Sequence, residues 1–256
     1  MFLHRPVLPT AADGLVSVLS LILGVHGERC GRGRCVAGEG SGHVMPVALT
    51  GLAGLLAGAA SMAAGEWISV HTQREATLAQ LAVEKQHLLA FPQEEAVELQ
   101  ECLEQKLGVS AATAASVIRD IQQSEDSLAR MLTLHAKFEH GINPERLGNP
   151  LHSAVASYCS FAVGGAVPLL PWFLVSSDDW HTALYVSCCL SALALLLYDT
   201  ALIRLVAFMV APPQARATAW ARAKVAATGG LRQLGVGAIA AGTTYGVGVL
   251  LGSRAT

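Results

Sequence analysis

The sequence predicts an all-α membrane protein with about five transmembrane helices and one small three-helix domain outside the bilayer. Hydrophobic residues make up 52% of its 256 residues and charged residues only 14%, and the mean hydropathy is +0.46. These values exceed what a soluble domain of this size needs to fill its core. The carboxylates are concentrated in one region. We therefore divide the chain into residues 1–70 with two spans, a polar domain at 71–149, and residues 150–256 with three spans.

The charge balance bears on the class of partner. The formal net charge is −2, so no basic excess points to nucleic acid. No nucleophile and base pair, phosphate-binding loop or cofactor motif stands out, so we expect neither an enzyme nor a bound cofactor. The composition instead makes the lipid bilayer the first expected partner.

The first apolar run extends from about Ala11 to Val25, near the lower limit of roughly 17 residues for crossing the hydrocarbon core. Asp13 at its mouth has two interpretations. It is either an interfacial helix cap or a carboxylate at membrane depth, which costs about 2.5–3.5 kcal/mol at a helix centre and usually faces a pathway or a partner. The glycine-rich loop that follows contains Cys30 and Cys35, for which we favour a disulfide or a plain loop over a zinc site.

The second apolar run continues without a breaker into a polar helix that Pro92 interrupts. Gly54 and Gly58 form a GxxxG motif, which favours close packing of another helix. Met62 and Glu66 share one face of this helix, because they are four residues apart. We place both at membrane depth, where a carboxylate usually has a function.

Local signals then mark the helices of the polar domain. Gly108 is placed to end the first helix and Ser110 to begin the second. Ser124 is the expected cap of the third. Asn149 and Pro150 return the chain to the membrane.

The last three spans differ in regularity. Pro168 and Pro171 predict a kinked or broken third span. The fourth runs from about Thr182 to Val210, and the fifth begins near Leu231. Five spans place the termini on opposite sides of the membrane. The distribution of Lys and Arg, apart from the arginines of the first loop, places the N-terminus and the polar domain in the cytosol.

Acid and imidazole side chains recur at helical spacing in the polar domain, so that the members of each pair share a helix face. The pairs are Glu84 with His87, Glu95 with Glu98, and His135 with Glu139. If these pairs converge, they form a carboxylate–imidazole site suited to Fe(II), Mn(II), Co(II) or Zn(II), in which ions share carboxylates. The same acids are also typical of a solvated helix face, and spacing alone does not choose between the two.

Three stretches resemble, in chain order, the signature stretches of the vacuolar iron transporter family. They are ADGLVSVLSLILGV, GLAGLLAGAASMAAGEWISVHTQRE and NPLHSAVASYCSFAVGGAVPLLPWF. The resemblance covers nearly the whole chain, and its SMAAGEWISV block is quite specific. It implies a five-span homodimer that moves Fe(II), and often Mn(II), out of the cytosol in exchange for protons. The implied pathway lies between the first and second spans of the two copies.

The resemblance also implies roles for individual residues. Asp13 matches the family's membrane aspartate and Met62 its pathway methionine. The glutamate ligands of the family's polar domain match four residues: Glu84, Glu95, Glu98 and Glu139. His87 stands at a family glutamate and His135 at a family methionine. Both replacements are competent ligands, but they add nitrogen and remove anionic or sulfur character.

We therefore predict a proton-coupled transporter that moves Fe(II), or Mn(II), out of the cytosol. The polar domain captures the ion and passes it to Glu66, Met62 and Asp13. Since a ligand must lose its proton before it binds a divalent cation, metal and proton compete for one site. The alternative is a membrane-anchored metal-binding or sensing protein without transport. The membrane is a bacterial inner membrane or a eukaryotic vacuolar membrane, and the sequence leaves that choice open.

Overall fold

A computed structural model of the chain describes residues 7–33, 44–143, 147–175, 179–210 and 219–254. Those residues form helices and short connections without any strand, which confirms the all-α class. Within these described ranges, five helices are long and apolar enough to cross a membrane, as predicted. The candidate spans are Thr10–Gly31, Val44–Ala90, Pro150–Leu174, Trp180–Leu197 and Thr228–Arg254.

The chain forms two compact units. Unit 1 comprises Met1–Glu66 and His152–Thr256, and unit 2 comprises Trp67–Leu151. The helices in chain order are α1 (Val7–Gly31), α2 (Val44–Ala90), α3 (Pro92–Leu107), α4 (Ala111–Gln122), α5 (Ser127–Phe138), α6 (Pro150–Leu174), α7 (Trp180–Val210) and α8 (Ala219–Arg254). The boundary between the units falls within α2.

Helix α1 is longer than predicted, because it continues past Val25 through a stretch that we expected to be a loop. Its glycines explain the difference. A Cβ atom added to Gly27 would lie 2.5 Å from the carbonyl oxygen of Tyr245, and one added to Gly31 would lie 2.9 Å from the amide nitrogen of Ser253. The backbones of α1 and α8 are therefore in direct contact, which only glycine permits. The composition of this stretch is typical of a loop, but its packing against α8 stabilises it as a helix.

The C-terminal end of α1 carries a buried imidazole, His26. Its ring packs against the ring of Trp180, with a centroid separation of 4.8 Å. Its Nε2 atom lies 3.5 Å from Sγ of Cys30. Cys30 is disulfide-bonded, and Cys35 lies outside the described residues.

The GxxxG glycines of α2 pack within the chain. A Cβ atom added to Gly54 would overlap the side chain of Leu21 on α1, and one added to Gly58 would lie 2.6 Å from the Phe161 ring of α6. The motif is therefore used for close packing inside unit 1. The exposed side of the same helix carries a different row of small residues, namely Ala53, Ala57, Ala60, Ser61 and Ala64.

Helix α6 is continuous, so of the two predicted alternatives, a kink or a break at its prolines, the break is wrong. Pro168 and Pro171 both lie inside it. The buried Ser187 of α7 donates a hydrogen bond of 2.6 Å to the Pro168 carbonyl oxygen, and Trp172 beside it belongs to the buried core of unit 1. Neighbouring helices thus bond and pack around the proline-containing turn, which remains helical.

Unit 2 is a small helical domain with a hydrophobic core of its own. The buried core residues are Leu88, Leu99, Leu103, Ala114, Ile118 and Met131. Pro92 occupies the first turn of α3, where its missing N–H costs nothing. Gly108 ends α3 in the left-handed conformation (φ 66°), as predicted. Asn149 Oδ1 accepts a hydrogen bond of 3.1 Å from the Leu151 N–H at the start of α6.

One of the two predicted serine caps in unit 2 is present. Ser110 Oγ accepts a hydrogen bond of 3.3 Å from the Thr113 N–H and caps α4. The cap predicted at Ser124 is wrong, because its hydroxyl donates to the Ile121 carbonyl oxygen (2.7 Å) at the end of α4. Helix α5 begins only at Ser127.

Candidate metal centre

Four polar side chains of unit 2 converge on one point. They are Glu84 of α2, Glu95 of α3, His135 of α5 and Glu139 at the C-terminus of α5. Three of them lie one helical turn from a buried core residue. The pairs are Glu84 with Leu88, Glu95 with Leu99, and His135 with Met131. The helix faces that form the core of unit 2 therefore also direct these ligand atoms toward each other.

The first ligand group consists of Glu84, Glu95 and His135, all buried, with ligand atoms within 4.8 Å of one another. His135 Nδ1 lies 3.1 Å from Glu84 Oε1 and 3.6 Å from Glu95 Oε2. Glu84 Oε1 is buried, and among the residues that the structure describes no contact to it, the one from His135 included, has the geometry of a hydrogen bond. A buried carboxylate oxygen in that situation is costly unless a cation or a proton binds to it.

The second ligand group consists of Glu84, Glu139 and His140. His140 Nε2 lies 3.3 Å from Glu84 Oε2 and 3.9 Å from Glu139 Oε1. The two groups are connected, because Glu84 belongs to both and Glu139 Oε2 lies 3.1 Å from His135 Nδ1. Sequence reasoning missed His140, since it considered only ligands at helical spacing. The available signal was an imidazole placed between Glu139 and a helix-ending glycine.

The turn after α5 places His140. Gly141 adopts the left-handed conformation (φ 68°), which ends the helix and suits glycine because it has no Cβ. Lys106 of α3 donates to the carbonyl oxygens of Phe138 and Glu139, the second over 3.3 Å. A lysine at the end of a helix satisfies free carbonyl groups and opposes the negative end of the helix dipole. Lys106 thereby fixes the backbone that carries Glu139 and His140.

The electrostatics of the centre are clearest at Glu95. Burial raises the pKa of Glu95 above its ordinary value, and the neighbouring carboxylates of Glu84 and Glu98 raise it further, whereas His135 and His87 act in the opposite direction. The raised pKa means that the ionised carboxylate is disfavoured in this environment. A bound divalent cation would remove that penalty.

Two further predicted ligands lie at the edge of the centre. The His87 side chain is 58% exposed, and its Nδ1 is 3.8 Å from Glu95 Oε1. Glu98 is exposed, although it is close enough to influence the pKa of Glu95. Neither residue belongs to the two three-residue groups found among the described side chains.

The predicted membrane residues lie on two helices of unit 1. Asp13 is exposed on α1, although it lies inside the candidate span Thr10–Gly31. Met62 and Glu66 are half-buried, one turn apart on α2. Within the described ranges, neither Asp13 nor Glu66 takes part in a salt bridge. The structure thus places Met62 and Glu66 on adjacent turns and leaves Asp13 on the surface of the single chain.

Together these features define a polytopic α-helical membrane protein with a candidate carboxylate–imidazole centre for divalent cations. The model of the VIT family matches residues 5–249. The chain therefore belongs to this family, as the resemblance in sequence indicated.

Several relatives match parts of the chain. A protein of Arabidopsis thaliana named vacuolar iron transporter homolog 2.1 is 32% identical over 166 residues, 65% of this chain and 52% of that protein. The vacuolar iron transporter of Acanthamoeba castellanii is 36% identical over 124 residues, 48% of this chain and 45% of that protein. Vacuolar iron transporter homolog 1 of Oryza sativa subsp. japonica is 29% identical over 242 residues, 94% of this chain and 71% of that protein. The chain thus spans about half the length of the first two relatives.

Proposed function

We propose that this chain is a transporter that moves Fe(II), with Mn(II) as a second substrate, out of the cytosol in exchange for protons. Family membership and the names of the relatives support iron as the cargo. The observation that carries the proposal is the sharing of Glu84 by two ligand groups, each of two carboxylates and one imidazole. Mixed oxygen and nitrogen ligands suit Fe(II), Mn(II), Co(II) and Zn(II), whereas Ca(II) and Mg(II) are bound by oxygen alone.

Charge balance supports the binding of two ions. Glu84 has one oxygen toward His135 and the other toward His140, so its carboxylate is placed to bridge two positions. Glu95 and Glu139 supply one further carboxylate to each position. Three carboxylates in this small space are unfavourable without cations or protons, and two divalent ions would more than neutralise them.

Competition between metal and protons supports the exchange. A carboxylate or imidazole must be deprotonated before it binds a divalent ion, so metal binding releases protons. Because the pKa of Glu95 is raised, protons compete with metal for this carboxylate at a higher pH than they would for an ordinary glutamate. Acidification on the receiving side would favour the release of metal there.

The proposed membrane steps use Asp13, Met62 and Glu66. An exposed carboxylate at membrane depth costs about 2.5–3.5 kcal/mol at the centre of a lipid-facing helix, so the surface around Asp13 requires a cover. A second copy of the chain would supply it. The small exposed residues of α2, from Ala53 to Ala64, allow close approach of another helix. We therefore include a homodimer in the proposal.

The proposed orientation places unit 2 and the N-terminus in the cytosol, because the distribution of Lys and Arg, apart from the arginines that follow the first apolar run, favours that side. The membrane is then a bacterial inner membrane or a vacuolar membrane. In either case the ion leaves the cytosol.

Flux of Fe(II) into liposomes that contain the purified protein tests the proposal. We expect uptake to accelerate when the lumen is acid, to persist in D120N and to fall strongly in D13N and E84Q. Asp120 is a matched control, since it is an exposed acid of α4. Absence of flux of any metal from protein that still binds Fe(II) would refute transport and favour the membrane-anchored metal-binding protein. Normal flux with normal pH dependence in D13N would refute the role of Asp13.

A further inference from the structure

The imidazole of His140 distinguishes the second ligand group from a purely anionic one. Without His140, this group would offer only the carboxylates of Glu84 and Glu139. Carboxylate ligands suit Mn(II), whereas imidazole favours Zn(II) and Co(II) relative to Mn(II). Because Zn(II) and Co(II) generally bind a given site more tightly than Mn(II) does, one nitrogen ligand therefore increases the preference of the position for Zn(II) and Co(II).

The structure holds this imidazole at the centre by several contacts. The His140 side chain is 24% exposed, so most of it is covered, and its Nε2 lies 3.3 Å from Glu84 Oε2. Its backbone follows the turn at Gly141, and Lys106 bonds to the carbonyl oxygens just before it. His140 is thus placed by the fold of unit 2, rather than by a chance orientation of an exposed side chain.

A separate observation concerns the other oxygen of the same carboxylate. Glu84 is only 7% exposed, and His135 Nδ1 lies 3.1 Å from its Oε1 atom, but none of the described residues meets the geometry of a hydrogen bond to that atom. A buried carboxylate oxygen without a well-directed hydrogen bond is unfavourable, and a metal ion would satisfy it. The carboxylate that His140 faces through Oε2 is therefore itself suited to a cation.

We propose that His140 is a metal ligand that raises the selectivity of the second position for Zn(II) and Co(II) over Mn(II). The inference rests on the proposed function, since it concerns ions bound at the same centre. It adds a ligand and a substrate class to that function. The second position is thus a nitrogen-containing site within a transporter whose cargo is Fe(II).

Equilibrium binding to the full-length protein in detergent tests the assignment. Zn(II), Co(II) and Mn(II) are titrated against wild type, H140F and H140E. Phenylalanine keeps a ring but has no ligand atom, and glutamate replaces nitrogen by carboxylate. We expect H140F to weaken the binding of Zn(II) and Co(II) at one of two positions by at least roughly 10- to 100-fold, since loss of a residue that merely orients a ligand already costs that much. Binding of Mn(II) should weaken by much less. H140E should bind Mn(II) at least as well as wild type, with a lower ratio of Zn(II) to Mn(II) affinity.

The matched control is H71F. His71 also lies 3.3 Å from a glutamate, Glu75, but belongs to neither ligand group of the described residues. Its replacement should leave all three affinities unchanged. Equal weakening of Zn(II) and Mn(II) in H140F, or no weakening of either, would overturn the assignment. An unchanged ratio of Zn(II) to Mn(II) affinity in H140E would do the same even if H140F failed to fold.

The flux assay separates this inference from the proposed function. If Fe(II) is transported while the ratio of Zn(II) to Mn(II) affinity does not respond to H140F or H140E, the role of His140 is wrong and transport stands. If the ratio responds while no metal is transported, His140 is a ligand of a binding protein and transport is wrong.

Discussion

Replacement of Glu95 by glutamine should stabilise unit 2 in the absence of metal and, at the same time, weaken its binding of metal. The ligand oxygens of Glu84 and Glu95 lie within 4.8 Å of each other. Two negative charges at that distance repel by about 3.5 kcal/mol at an effective dielectric constant of about 20. His135, 3.6 Å from Glu95, offsets part of this repulsion. We therefore expect a net gain of about 1–2 kcal/mol for E95Q without metal.

Amide hydrogen exchange of the full-length protein in detergent measures this gain within unit 2. Without metal at neutral pH, the protected amides of E95Q should exchange about 5- to 30-fold more slowly than those of wild type. With saturating Mn(II), wild type should gain protection, because a ligand stabilises the form that binds it, whereas E95Q should gain much less. E94Q is the control, since Glu94 is an exposed acid of the same helix.

The pH dependence gives a second test of the same reasoning. The pKa of Glu95 in the folded unit is raised above its ordinary value of 4.5, so the folded form binds this proton more tightly than the unfolded form. The stabilisation that comes from binding this proton is therefore present below pH 4.5 and is lost as the pH rises through the raised pKa of Glu95. Wild type should lose more protection than E95Q over that interval. Faster exchange of metal-free E95Q at neutral pH would refute the reasoning, because it would show that His135 fully compensates the charge of Glu95.

Four further substitutions test the packing and the turn. G54L should destabilise the single chain, because the leucine side chain would overlap Leu21. A57L should fold and lower the dimer fraction in detergent. A dimer fraction unchanged in A57L would contradict the proposed interface. G141A should weaken metal binding, since alanine in the left-handed conformation costs about 1–2 kcal/mol; affinity equal to wild type would show that the turn does not position the ligands. K106M should raise the Kd for Co(II) several-fold by releasing the end of α5, and an unchanged Kd would leave Lys106 without that role.

Local sequence signals predicted three helix boundaries of unit 2, whereas the cap expected at Ser124 is absent. Pro92, Gly108 and Ser110 each act on their own backbone, so their effect is readable without the fold. The boundary of α1 was not readable in this way. Gly27 and Gly31 look like loop residues until α8 packs against them. Tertiary contact overrides local composition at such positions.

The candidate centre was likewise predictable only where local helical spacing relates its residues. Helical spacing paired His135 with Glu139, and the fold brings them to within 3.1 Å. Periodicity does not show which helix face turns inward, however, so it ranked the exposed Glu98 equally with the buried Glu95. His140 lies beyond the end of α5, where helical spacing no longer applies. Its position depends on the left-handed Gly141, and only the folded turn shows where the imidazole lies.

The arrangement of unit 2 links its stability to its proposed cargo. A small core, to which the described residues contribute six buried side chains, supports a centre in which carboxylates are crowded and partly desolvated. Replacing one of them by a neutral side chain would stabilise the empty domain, so stability alone does not explain their presence. Binding of a divalent cation does, because it converts the repulsion into coordination and stabilises the folded form by mass action. Unit 2 should therefore be most ordered when metal is abundant and least ordered when protons or chelators remove it.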